Sequence, residues 1–108
     1  MYQQIYLLAM FESSGAAILP VGVVVRDPGS GAWRRSLLAA PEAEYWEQIL
    51  AGFGDTLSDE VLRYWTERGN GITWNVAITG IEAADLEHAL ATAEASVIAD
   101  YAIIVEET

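Results

Sequence analysis

Cysteine and lysine are absent from this chain, and histidine occurs once, as His88. Without cysteine there can be no disulfide framework, no thiolate nucleophile and no cysteine-based metal site. With one histidine, a Ser-His-Asp arrangement would have to use His88, and no G-x-S-x-G nucleophile motif accompanies it. No apolar run approaches the roughly 18 residues that a bilayer span requires. The opening MYQQIYLLAMFESSG lacks a basic start and a small-residue cleavage pattern, so a strand is expected there and not a secretory leader. A cytoplasmic setting is the expectation.

Positive charge is the other scarcity. Five arginines face sixteen acids, for a net charge of −11. Residues 1–41 carry three arginines against two acids, whereas residues 42–108 carry two against fourteen. A field of that sign repels nucleic acid and anionic membrane and attracts basic partners. An acidic surface also serves solubility alone. The 108 residues fit one domain, 1–108, and four tryptophans supply large packing area for its core.

Residues 5–11 are apolar at nearly every position, which predicts a strand covered on both faces. Turn chemistry follows at Glu12-Ser13-Ser14-Gly15. A second strand is expected over 16–26, disturbed at Pro20 and Gly22 and regular from Val21 onward. Asp27-Pro28-Gly29-Ser30-Gly31 supplies a tight turn, and residues 33–38 return as a third strand. Pro41 suits the first turn of a helix in which Trp46, Ile49, Leu50 and Phe53 recur at helical spacing. Ser58 is a good N-cap for a second helix over 58–68, with Gly69 as its stop. There Asp59 and Arg63, and Arg63 and Glu67, are spaced for pairing along the outer face.

Alternation over 72–79 predicts a fourth strand. Thr79-Gly80-Ile81-Glu82 fits a capping box that opens a long last helix. The β-branched run after Asp100 fits helix or a short closing strand, and helix is preferred because no breaker intervenes. The expected class is α+β: a three-stranded antiparallel meander, two helices, a fourth strand and a long C-terminal helix, with the helices packed on one face of the sheet.

Candidate chemistry is sparse. The stretch VVVRDPGSGAWRRSLL holds Arg26, Arg34 and Arg35 around the turn. Its G-x-G leads into a strand, so the phosphate-binding mechanism of a helix N-terminus does not apply. Arg34 and Arg35 are adjacent on a strand and point to opposite faces. One of them can join Arg26 across the hairpin, with Trp33 stacked on a guanidinium. Arg26, Arg34 and Arg35 are therefore the candidate anion site, set against arginines that merely cover a sheet face or pair with acids.

Asp85 and His88, three apart, supply two metal ligands, which is not a site; an exposed histidine is expected. DTLSDE, with Asp55, Asp59 and Glu60, lacks the ligand spacing and glycine of a calcium loop. No metal or cofactor is implied. Trp33, Trp46, Trp65 and Trp74 are expected in the core, with Tyr45 and Tyr64 at its edge, where aromatics serve binding surfaces.

The leading functional expectation is a non-enzymatic protein-binding module that docks a basic partner through an acidic helical face. Glu42, Glu44, Glu47, Asp59, Glu60, Glu67, Glu87 and Glu94 would form that face. The size and charge are those of inhibitors, antitoxins and immunity proteins, whose association electrostatics accelerates. The alternative is a structural or self-associating domain, a homodimer formed through the first strand or the apolar end of the last helix. An anion or small-ligand binder built on the arginine hairpin comes third.

Overall fold

A computed structural model of the chain describes residues 2–10, 18–37, 43–69 and 74–107. The strands are β1 (Tyr2–Met10), β2 (Ile18–Arg26), β3 (Trp33–Leu37) and β4 (Trp74–Ile81). The helices are α1 (Ala43–Ala51), α2 (Asp59–Gly69) and α3 (Leu86–Glu107). The four strands form one antiparallel sheet in the order β3-β2-β1-β4. The meander, the later fourth strand and the α+β class are as expected. The turn at Glu12–Gly15, Pro41, Glu42, Ile72 and Thr73 lie outside the described residues.

The sheet is built on hydrophobic pattern. Val23, Val24 and Val25 are consecutive and all buried, as are Ile5, Tyr6 and Leu7. Successive strand residues point to opposite faces, so such runs need cover on both sides. On one face Ile5, Leu7, Val24 and Val76 meet Trp46 and Leu50 of α1, Leu62 and Trp65 of α2, and Leu57 between the two helices. On the other face Tyr6, Val23 and Val25 meet Ala89, Ala93 and Val97 of α3.

The expectation that all helices share one face is therefore corrected: α1 and α2 lie on one side and α3 on the other. The triple valine of β2 demands that arrangement, because a single helical layer would leave Val23 and Val25 in water. At about 25 cal/mol per Å² of apolar surface, leaving two valines uncovered would cost on the order of 3–6 kcal/mol.

The irregularity expected near Pro20 and Gly22 is present. Leu7 pairs with Gly22 and Leu8 with Pro20, so Val21 is the extra residue of a bulge. A Cβ on Gly22 would lie 2.5 Å from the Ser36 carbonyl oxygen and 2.9 Å from Leu37 Cα. Only glycine allows β3 to approach this closely.

Ser58 caps α2 as expected: its Oγ accepts from Val61 N at 3.3 Å and its carbonyl from Leu62 N at 3.3 Å. The start of α3 differs from expectation. Thr79, Gly80 and Ile81 remain in β4, paired with Gln4, Gln3 and Tyr2. The helix opens instead at Asp85, whose Oδ1 accepts from His88 N at 2.8 Å and whose carbonyl accepts from Ala89 N at 2.9 Å. Ladder pairing with β1 occupies Thr79, so the capping box cannot form there. The run after Asp100 is helical to Glu107.

Candidate functional site

The end of the β2–β3 hairpin is a self-contained structure. Asp27 N donates to the Ala32 carbonyl at 2.8 Å, and Gly31 N to the Asp27 carbonyl at 2.7 Å. The Asp27 carboxylate accepts from Gly29 N at 3.0 Å and from Ser30 Oγ at 3.1 Å. Gly31 takes a φ of 79°, which favours glycine.

This turn docks on the α1–α2 loop. Leu57 N donates to the Gly31 carbonyl at 2.9 Å, Ala32 bridges Thr56, and Trp33 Nε1 donates to the Gly54 carbonyl at 2.8 Å. Two open clefts flank the junction. One, of about 310 Å³, lies between the turn and the start of α2, with Arg26 and Ser58 in its wall. The other, of about 460 Å³, is lined by Trp33, Arg34, Arg35 and Asp55.

The register assigns each arginine its place. Arg26 stands opposite Trp33, Val25 opposite Arg34 and Val24 opposite Arg35. Arg26 and Arg35 thus share the α1–α2 face with Trp33, and Arg34 points to the other. Arg26 is only 3% exposed. Its Nε donates to the Leu57 carbonyl at 2.6 Å, Nη1 to Gln3 Oε1 and Nη2 to Asp59 Oδ1 at 2.8 Å. Such a guanidinium is a tie between β1, β2 and the start of α2.

Arg35 lies over the Trp33 ring, 5.2 Å from its centroid, and engages both carboxylate oxygens of Glu47. That hydrogen bonding holds the Glu47 carboxyl below its ordinary range and raises Arg35. Arg34 is exposed and donates to the carbonyl of Trp33 at 2.8 Å. The three arginines are not brought into one cluster: Arg26 and Arg35 each hold a carboxylate of this chain, and Arg34, set on the opposite sheet face, shares only the wall of the second cleft with Arg35.

The acidic residues are likewise divided. Glu44 and Glu47 stand on α1, and Asp59, Glu60 and Glu67 on α2, all on one side of the sheet. Glu87 and Glu94 stand on α3, on the other side. One continuous face therefore cannot hold the whole set, for the same reason that the helices do not share a face. Asp59 is held by Arg26, Glu47 by Arg35, and Glu94 accepts from Ser36 Oγ. Glu44, Glu60 and Glu67 are exposed with no ionic partner among the described residues. Glu42 lies outside the described residues.

Glu60, Tyr64 and Glu67 follow an i, i+4, i+7 spacing, which aligns them along one outer stripe of α2. Tyr64, 56% exposed, sits between the two acids. This stripe is visible in the sequence, because helical spacing alone specifies it. Trp33, Trp46 and Trp65 are buried as expected, and Phe53 packs edge-on against Trp65 with centroids 5.2 Å apart. The side chains of Tyr45 and Trp74 lie outside the described ones.

His88 is exposed, and its Nδ1 lies 2.8 Å from Asp85 Oδ1. The pair serves the start of α3. Among the described residues no group of three or more His, Asp or Glu side chains is placed to hold a metal ion. Nor is any helix there long and apolar enough to cross a membrane. Comparison with protein-family models, with curated proteins and with solved structures finds no match.

Proposed function

We propose that this chain is a non-enzymatic docking module whose α1–α2 side receives a basic protein. The observation that carries the reading is the acid–tyrosine–acid stripe of α2. Glu60 and Glu67 are exposed on either side of Tyr64, on the part of the chain where fourteen acids outnumber two arginines. Carboxylates at that spacing attract lysine or arginine side chains. Glu44 of α1 extends the same acidic side. Charge of this sign accelerates encounter with a basic partner and repels nucleic acid. Glu87 and Glu94 belong to the far side and take no part.

The test is retention by the immobilised chain from lysate of its own source, with elution by a salt gradient. The expected result is a basic protein released at moderate salt and not retained by a Glu60→Lys/Glu67→Lys chain of unchanged melting temperature. Release of nothing specific at any salt, or equal retention by the charge-reversed chain, would overturn the proposal.

A further inference from the structure

The two outer edges of the sheet are unlike. β3 presents five residues, WRRSL, of which two are arginines. β4 presents eight, WNVAITGI, with no charge and no proline. Edge strands commonly carry a device against pairing, such as shortness, a charge, a proline or a bulge. β3 has the first two. β4 has none, and among the described residues no strand pairs with its outer edge.

The first strand, by contrast, has no edge to offer. β1 is paired on both sides, and its described side chains Ile5, Tyr6 and Leu7 are buried on the two faces, so it offers no free edge for pairing with a second copy.

Two large apolar side chains are markedly exposed among the described residues: Ile78, at 39%, and Tyr64. Ile78 pairs with Ile5, so it points to the α1–α2 side, where α2 packs beside β4. The open strand and the exposed isoleucine thus coincide. Charge selects the occupant. In a chain of net charge −11, β4 itself is a strip that carries no charge, so pairing two copies along it sets no like charges opposite one another within the strand pair. A charged segment finds no counter-charge on the strip, whereas an identical neutral strand matches it along its length. Joining β4 of one copy to β3 of another would place arginines against the strip and leave an open-ended chain of copies; joining β4 to β4 closes on itself.

We propose that two copies of this chain associate edge to edge, β4 against β4 and antiparallel, with Ile78 facing its counterpart across a two-fold axis perpendicular to the sheet. Such an axis preserves the two faces, so the four-stranded sheets join into one continuous sheet with both α1–α2 layers on the same side. Main-chain hydrogen bonds supply the association and the isoleucine pair sets its register. Because each copy is strongly acidic, the dimer strengthens as salt rises, the opposite of the response expected for docking a basic protein. Failure of one proposal is therefore distinguishable from failure of the other.

Sedimentation equilibrium on the purified chain, over a range of concentrations and at two salt levels, tests this. The expected mass tends to twice 11.7 kDa. Ile78→Lys, at an exposed side chain, raises the dissociation constant about tenfold or more while leaving the melting profile of the dissociated chain intact. Arg34→Glu, on the opposite edge, leaves the dimer unchanged. A wild-type chain of single mass at all concentrations overturns the proposal, as it would if β4 accepts a strand of a different protein. So does a dimer that survives Ile78→Lys or is lost with Arg34→Glu.

Discussion

Arg26 is a buried polar residue held from three sides. Its guanidinium is buried, yet Nε, Nη1 and Nη2 each have a partner: the Leu57 carbonyl, Gln3 and Asp59. Removing a buried donor leaves its acceptor unsatisfied, and that penalty exceeds the net worth of the bond itself. Arg26→Met keeps most of the apolar stem and strands the Leu57 carbonyl, whereas Asp59, 78% exposed, returns to water at little cost. The expected outcome is a loss of about 1–3 kcal/mol in urea unfolding, with an unchanged denaturant slope. Arg26→Lys restores little of it, because one ammonium cannot reach three directions at once. A midpoint equal to wild type would show that the tie holds nothing. The turn beside Arg26 was legible from Asp27, Pro28 and the glycines, since turn chemistry is local. The partners of Arg26 were not, because Leu57 and Asp59 lie 31 and 33 residues away and nothing in their spacing marks them.

At the scale of elements, α3 begins on one side chain. The Asp85 carboxyl is held below its ordinary value of 3.8, first by the backbone N–H of His88 and then by the His88 ring. A carboxyl with a depressed folded-state pKa stabilises the fold fully above its ordinary value, and that contribution fades as pH falls through the still lower folded value. Asp85→Asn retains an acceptor for the helix N-terminus but cannot titrate, and Asp85→Ala retains neither. At neutral pH the alanine variant melts below wild type and the asparagine variant lies between them. As the solution is acidified past the ordinary carboxylate value, the gap between wild type and Asp85→Asn closes. Thermal melts followed by circular dichroism across that range check it, and a constant gap would refute the assignment.

The position of this helix start illustrates what periodicity can and cannot supply. Alternation located β4 and the apolar spacing located α3, since each follows from side-chain direction along one element. The junction between them was misplaced because Thr79 and Glu82 satisfy a capping pattern while Thr79, Gly80 and Ile81 pair with β1, more than seventy residues earlier in the chain. The side on which α3 packs was implicit in Val23-Val24-Val25. A run buried at every position needs two covering layers, and the third helix supplies the second.

Across the whole molecule, β1 at the start of the described chain pairs with the late strand β4, while most of the acids come from the later part. Two opposing electrostatic effects follow. Screening weakens attractive pairs such as Arg35–Glu47, and it also relieves repulsion among the excess carboxylates. Exposed pairs contribute little on average, and the ion pairs among the described residues are few against a net charge of −11, so relief of repulsion dominates. The melting temperature is therefore expected to rise as sodium chloride is increased from low salt through about 0.1 M, where the screening length is roughly 10 Å, and then to level off. A melting temperature that fell over the same interval would mean that the ion pairs outweigh the repulsion, and the carboxylates of α1 and α2 would then be held too firmly to serve a basic partner. A rise leaves them available, and it separates the two uses of salt: the same increase that stabilises the fold releases a protein bound to Glu60 and Glu67.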